Sequence, residues 1–385
     1  MKIHRMIPPA AAPLLLQDIY FGIIGLFTRD RFLKKLINEL KAYFSVNNVY
    51  LLSSGKGALT IILKALHSSD SRNEVIIPAY TCFSVPSSVI NAGLQVTLCD
   101  LQENSFDYNY AELENLITNN TLCVVTSNLF GIPSDLDKLK VICEQNNIYL
   151  IEDAAQAMGV KHNDEYLGCI GDAGFFSFGR GKNITCNSGG LILTNNDDIS
   201  HQIEMIYSEI KETFFLDNIK ELFAAFIMHI FINPRMYWFP SSLSFLKLGQ
   251  TFFYETFEIR KLSEMKAGLL YNWKKRLERS NQVRIKNSNE YTSLNVAYPY
   301  IRFPLILENA NLADKLYTNS KEKGLGLSKL YPSSIDKIEK LKGRINAGEF
   351  PVASSLSDRL ITLPTHPLLN EQDIERIKSL IKNYI

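Results

Sequence analysis

The chain has no excess of either charge. Against 41 Lys and Arg stand 40 Asp and Glu in 385 residues, which leaves no electrostatic footprint for a nucleic-acid partner. Paired cysteines and clustered histidines are also missing. Cys82, Cys99, Cys123, Cys143, Cys169 and Cys186 form no CxxC pair and mostly sit in or beside apolar runs. That pattern predicts reduced, mostly buried thiols of a cytoplasmic protein, and no metal site.

The apolar run of most interest, Leu222 to Ile232 (LFAAFIMHIFI), falls short of the roughly 20 residues that span a bilayer. Burial inside the protein is the expectation for it. A lid, a dimer contact or a membrane-surface contact through 222–248 are the alternatives. Near the start, Pro8, Pro9 and Pro13 interrupt what would otherwise resemble a signal helix. An extended arm leading into a helix near Leu16–Phe27 is expected instead.

What is present is a series of short apolar runs separated by helical patterns. The runs are VYLLSS (49–54), EVIIPAY (74–80), QVTLCDL (95–101), TLCVVTSNLFG (121–131), NIYLIEDAA (147–155), AGFFSFG (173–179) and GLILTNN (190–196). Strands this apolar, alternating with helices, predict a mostly parallel α/β sheet covered on both faces. Ligands of such sheets bind at the carboxyl ends of the strands. After Leu262 the pattern becomes one long amphipathic helix over 263–291, a strand at 298–307 and a C-terminal helix. This predicts a large domain over 1–255, with an apolar insert at 207–253, and a small α+β domain over 256–385.

Lys182 stands in a glycine-rich stretch, GFFSFGRGKNITCNSGG. It is not a P-loop lysine: Phe176 stands five before Gly181, and Asn183 follows. SSGKGAL (53–59) fails the same test at Tyr50 and Gly57, and no GxGxxG follows the first strand. Covalent chemistry fits better. A lysine amine can form a Schiff base with pyridoxal phosphate (PLP), which also needs an acid at its ring nitrogen and a phosphate cradle. NIYLIED ends in Glu152 and Asp153, either in position to supply the acid, and Gln156 can donate to the ring's phenolic oxygen. SSGKGAL offers glycines ahead of a helix N-terminus, with Lys56 adding charge and Ser177 a hydroxyl.

Together these stretches resemble the DegT/DnrJ/EryC1/StrS family of PLP-dependent sugar aminotransferases, of PLP fold type I. The similarity also runs through EVIIPAYTCFSVPSSVINAGLQVTLCDL, SNLFGIPSDLDKL, RKLSEMKAGL and LSDRLITLPTHPLL. The resemblance implies Lys182 as the covalent PLP lysine and proton shuttle, Asp153 at the pyridine nitrogen and Gln156 at the phenolic oxygen. Gly55, Lys56 and Ser177 fall at the phosphate. It implies a homodimer with its sites at the interface, and glutamate as donor to a keto acceptor, typically a nucleotide-linked keto sugar for surface polysaccharide.

The match departs from the family pattern at several points. Lys56 replaces a threonine, Asn128 a histidine and Lys261 an arginine. Cys82 stands where an aromatic ring is expected over the pyridine, leaving Tyr80 or Phe83 to stack. These departures keep open a small phosphorylated ketone as acceptor, or decarboxylation of a phosphorylated amino acid. A non-catalytic regulator fits poorly with an intact Lys182, Asp153 and Gln156.

Overall fold

The structure, a computed structural model, describes residues 5–384. Its strands are β1 (Asn48–Leu52), β2 (Glu74–Pro78), β3 (Gln95–Cys99), β4 (Thr121–Ser127), β5 (Tyr149–Asp153), the hairpin β6 (Lys161–His162) and β7 (Glu165–Tyr166), β8 (Ala173–Ser177), β9 (Gly190–Thr194), β10 (Arg302–Ile306) and β11 (Leu360–Pro364). The helices are α1 (Leu16–Gly25), α2 (Arg31–Phe44), α3 (Gly55–Ser68), α4 (Ser84–Asn91), α5 (Tyr110–Leu116), α6 (Leu136–Gln145), α7 (Asp197–Glu209), α8 (Phe215–Phe231), α9 (Trp238–Ser242), α10 (Glu264–Leu269), α11 (Trp273–Asn289), α12 (Ala310–Lys323), α13 (Pro351–Arg359) and α14 (Glu371–Ile381).

Seven strands make one sheet in the order β1-β9-β8-β5-β4-β2-β3. β9 is antiparallel to both neighbours, and the other strands run parallel to one another. The apolar runs are explained by burial on two faces. Val75 and Ile77 enter the core under α3, α4 and α7, while Ile76 enters the core under α2, α5 and α6. Because the parallel strands share a direction, Leu52, Pro78, Ser127, Asp153 and Ser177 all end at one edge of the sheet. A smaller antiparallel pair, β10 with β11, carries α12 and α14 around a separate apolar cluster.

Two expectations change. The helix expected over 263–291 is two helices, α10 and α11. α10 is pressed against α1 through glycines: a Cβ on Gly268 would stand 2.3 Å from Phe21 O, and one on Gly25 would stand 2.6 Å from Glu264 O. The chain must then turn to bury Trp273. The apolar run at 222–232 lies in α8, and Ala225 is that helix's one buried residue. Leu222 packs toward Gly22 of α1. Phe215, Phe223, Phe226, Ile227 and Ile230 remain exposed, because the 3.6-residue repeat turns them away from α1. The expected burial of this run is therefore not what the fold does.

The N-terminal arm is extended, as read from its prolines. Its Ile7 N–H donates to Gly324 O (2.9 Å), and its Pro8 carbonyl lies 2.8 Å from His366 Nε2. His366 is fully enclosed, and its Nδ1 accepts from Leu368 N–H. It is therefore the neutral tautomer that donates from Nε2.

Burial pulls the His366 pKa from 6.5 down to about 4. Its folded value lies below its unfolded one, so the unfolded chain takes up the extra proton and stability is lost as pH falls from the unfolded toward the folded value. Between pH 7 and pH 5 the loss is about 2 kcal/mol at ~1.4 kcal/mol per pKa unit. Urea unfolding at the two pH values should show this drop in the native protein and a smaller one in His366→Asn. An equal drop in both would remove His366 as the acid-sensitive contact.

Candidate active site

Alternation along β5 separates its two terminal acids. Glu152 turns into the fold, where it accepts from the N–H groups of Gly168 (2.8 Å), Ile170 (2.7 Å) and Gly171 (2.8 Å), and from Asn128 Nδ2 (3.4 Å). It is a structural carboxylate that organises the turn before β8. Asn128 also accepts from Ser134 N–H, so the residue in the family's histidine position serves this turn. Asp153 points to the other face, toward Lys182. Burial raises its carboxyl pKa, while the Lys182 charge and the Ala155 N–H draw it back.

Lys182 follows Gly181, whose φ of +74° suits glycine. The loop is tied at both ends: Cys186 N–H donates to Phe178 O, and Lys182 O accepts from Arg284 Nη2. The residue is half-buried. Burial is the largest cause pulling its pKa down, opposed by Cys82 and Asp153 and reinforced by Arg302. A lowered pKa favours the neutral amine that nucleophilic chemistry needs.

Beside this pair lies the cradle. Ser54 caps α3 by accepting from Gly57 N–H (3.1 Å). The N–H groups of Gly55 and Lys56 make no hydrogen bond among the described residues. Ser177 sits against them: a Cβ on Gly55 would come 2.9 Å from Ser177 Cβ. A Cβ on Gly190 would stand 2.2 Å from Ser54 O, so β9 and the α3 turn meet backbone to backbone. Free N–H groups at a helix N-terminus next to a hydroxyl suit a phosphate. With a half-buried lysine and a carboxylate adjoining, the residues present fit PLP.

Lys56, Cys82, Tyr80 and Gln156 lie close by, while Phe83 and Lys261 are engaged elsewhere. Lys56 Nζ lies over the rings of Tyr254 (4.4 Å) and Phe257 (4.3 Å), so its main chain faces the cradle while its cation rests on aromatic faces. Cys82 is half-buried, receives Ser84 Oγ at 3.0 Å and acts on both Lys56 and Lys182. Tyr80 is enclosed with its ring 5.4 Å from that of Tyr331, and Phe83 is buried in the core under α4. Gln156 Oε1 accepts from Phe130 N–H, and its Nε2 donates to Tyr331 OH (both 3.0 Å). Lys261, in the family's arginine position, pairs with Glu212 at 3.5 Å.

Sequence reasoning missed two arginines. Arg284 is fully buried on α11 and donates to Ile301 O, Ala11 O, Lys182 O and Ser280 Oγ. Arg302 enters from β10. A charge inside the apolar strand YPYIRFPLIL was the available signal for it.

The profile of the DegT/DnrJ/EryC1/StrS aminotransferase family matches residues 24–382. The chain belongs to that family. With the family come the activity class, amino transfer, and the cofactor, PLP. GDP-perosamine synthase of Caulobacter vibrioides is 31% identical over 46% of this chain and 47% of its own. Helicobacter pylori PseC, an aminotransferase involved in the biosynthesis of pseudoaminic acid, superposes with a TM-score of 0.80 at 16% identity, covering 98% of this chain and 99% of that one. Spr1654 of Streptococcus pneumoniae, in its PLP form, gives 0.78 at 19% identity over 99% and 100%. At these identities the superpositions speak for the fold, which is PLP fold type I.

The two acids of β5 should separate in mutagenesis. Glu152→Gln strands a buried N–H and should cost about 1–3 kcal/mol of stability in urea unfolding. Asp153→Asn removes a charge that burial disfavours and should leave the unfolding midpoint unchanged or raise it, while altering the absorption of bound PLP. A stability loss confined to Asp153→Asn would reverse these assignments.

Proposed function

We propose that the protein is a PLP-dependent aminotransferase that takes nitrogen from glutamate and delivers it to a nucleotide-linked keto sugar, for surface polysaccharide or amino-sugar synthesis. The observation that carries the reading is the half-buried Lys182 amine within electrostatic reach of Asp153, at the strand ends beside the α3 cradle. Pyridoxal phosphate, when bound, supplies an aldehyde for the amine and a ring that draws electrons from the substrate carbon.

The chain's own groups do the rest. The N–H groups of Gly55 and Lys56, with Ser177 Oγ, would hold the phosphate. Asp153 would keep a proton on the ring nitrogen, and Gln156, which donates to Tyr331 OH, would hold Tyr331 in place. Lys182, whose pKa is drawn down, would take the proton from the substrate carbon as base and return it as acid. The sugar acceptor is supported by the likeness to GDP-perosamine synthase.

The same reading makes the protein a cytoplasmic homodimer, each chain with a large domain over 1–255 and a small one over 256–385. The uncovered apolar stripe of α8 lies beside the exposed Leu16, Tyr20 and Ile23 of α1, and suits a second copy of the chain.

The purified protein should be yellow, and glutamate should bleach the absorption of the PLP form. Borohydride should fix the cofactor to Lys182, and Lys182→Ala should lose both the tag and at least ~1,000-fold of the activity, as expected for a covalent and acid–base group. Carbon dioxide released from an amino acid with no keto acceptor present would establish decarboxylation instead.

A further inference from the structure

β10 carries Arg302 toward the Lys182 loop. One edge of its guanidinium is braced: Nη1 donates to Ser328 Oγ at 3.3 Å, and Ser328 is tied to Thr362 of β11. The opposite edge is bare. Nε is enclosed and has no hydrogen-bond partner. Nη2 donates to nothing among the described residues and stands 3.9 Å from where a Cβ on Gly181 would be, next to Lys182. Among the described residues no carboxylate pairs with Arg302. Its charge is felt by Tyr80, Tyr237, Tyr331 and Lys182. The Tyr80 hydroxyl is likewise enclosed; it lies against the Tyr331 main chain and has no acceptor for its own proton among the described residues.

A guanidinium lodged among tyrosines with its Nε enclosed and no counter-charge is disfavoured, and a ligand can relieve it. Its free Nε–Nη2 edge is a planar fork that matches the two oxygens of a carboxylate. The phosphate of the cofactor already has the α3 N-terminus and Ser177, so a second anion is left for this edge.

We propose that Arg302 anchors the amino donor: its Nε–Nη2 edge grips the donor's α-carboxylate, the Tyr80 hydroxyl adds a third donor, and the amino group is thereby held on the Lys182 side of the site. This rests on the aminotransferase reading and names what the site recognises in its donor. Amino acids are selected over simple amines by their carboxylate.

The test uses the holoenzyme and the variants Arg302→Gln and Arg302→Lys. Three quantities are read: the rate of bleaching by glutamate, the rate of bleaching by propylamine, and the binding of succinate by calorimetry. Arg302→Gln should keep the PLP absorption and the borohydride tag. Its glutamate rate should fall about 100-fold, the loss expected for a charge-assisted bidentate contact. Its propylamine rate should stay within about threefold of native, and its succinate affinity should drop at least tenfold. Arg302→Lys, which keeps the charge and loses the fork, should fall in between, and it serves alone if Arg302→Gln does not fold. An unchanged glutamate rate, an equal loss for glutamate and propylamine, or a loss confined to the keto-acceptor half-reaction would overturn the proposal. If no amino acid bleaches the native protein but succinate binds through Arg302, the amino-transfer reading fails and the carboxylate site stands.

Discussion

Three cationic side chains converge on one place in this fold with one facing carboxylate among the described residues. Lys182, Arg284 and Arg302 lie close enough to influence one another, and Asp153 is the acid that acts on Lys182. Like charges in a poorly solvated interior repel strongly. Each is therefore managed differently. Lys182 yields by losing affinity for its proton. Arg284, drawn down to about 9 by burial and by Arg302, is surrounded by carbonyl and hydroxyl oxygens from four parts of the chain. Arg302 is braced on one edge only. The site thus carries a standing excess of positive potential, and anionic ligands relieve it.

That requirement explains features with no catalytic role of their own. The N-terminal arm supplies Ala11 O to Arg284 and is held by His366 through Pro8. The small antiparallel sheet supplies Ile301 O from just before β10, and braces Arg302 through Ser328 and Thr362. The arm and the small sheet are thereby fastened to the Lys182 loop by hydrogen bonds to buried cations. These bonds are costly to leave unmade, so the parts are locked together by the same groups that set the potential.

Most of the large sheet could be read from the sequence because strands buried on both faces declare themselves as apolar runs, and its ligand edge follows from strand direction. Lys182, Asp153 and the α3 turn were legible because their spacing along the chain is local to strand ends and loops. What escaped reading depends on distant partners. Nothing near Glu152 in sequence distinguishes it from Asp153, since its role is set by N–H groups of residues 168–171. The break between α10 and α11 comes from glycine contacts with α1, far away in the chain. Arg284 reads as one more cation on a polar helix until its burial is seen. α2 went unread although Phe32, Leu36, Leu40 and Phe44 repeat every fourth residue, a local pattern that was available.

The segment after α7 was the least legible, and its placement shows why its composition is unusual. Its outer face, on α8, is apolar and uncovered, while its later residues turn inward. Tyr237 comes within electrostatic reach of Arg302, and Thr251 lies 3.7 Å from Cys82 Sγ. Tyr254 and Phe257 then receive Lys56 on their rings. One continuous stretch therefore supplies neighbours to the buried arginine, to the residue in the ring-stacking position and to the lysine that replaces the family's threonine. The departures at Cys82 and Lys56 are linked in space through this stretch. The faces of Tyr254 and Phe257 offset the cost of leaving the Lys56 cation half-buried.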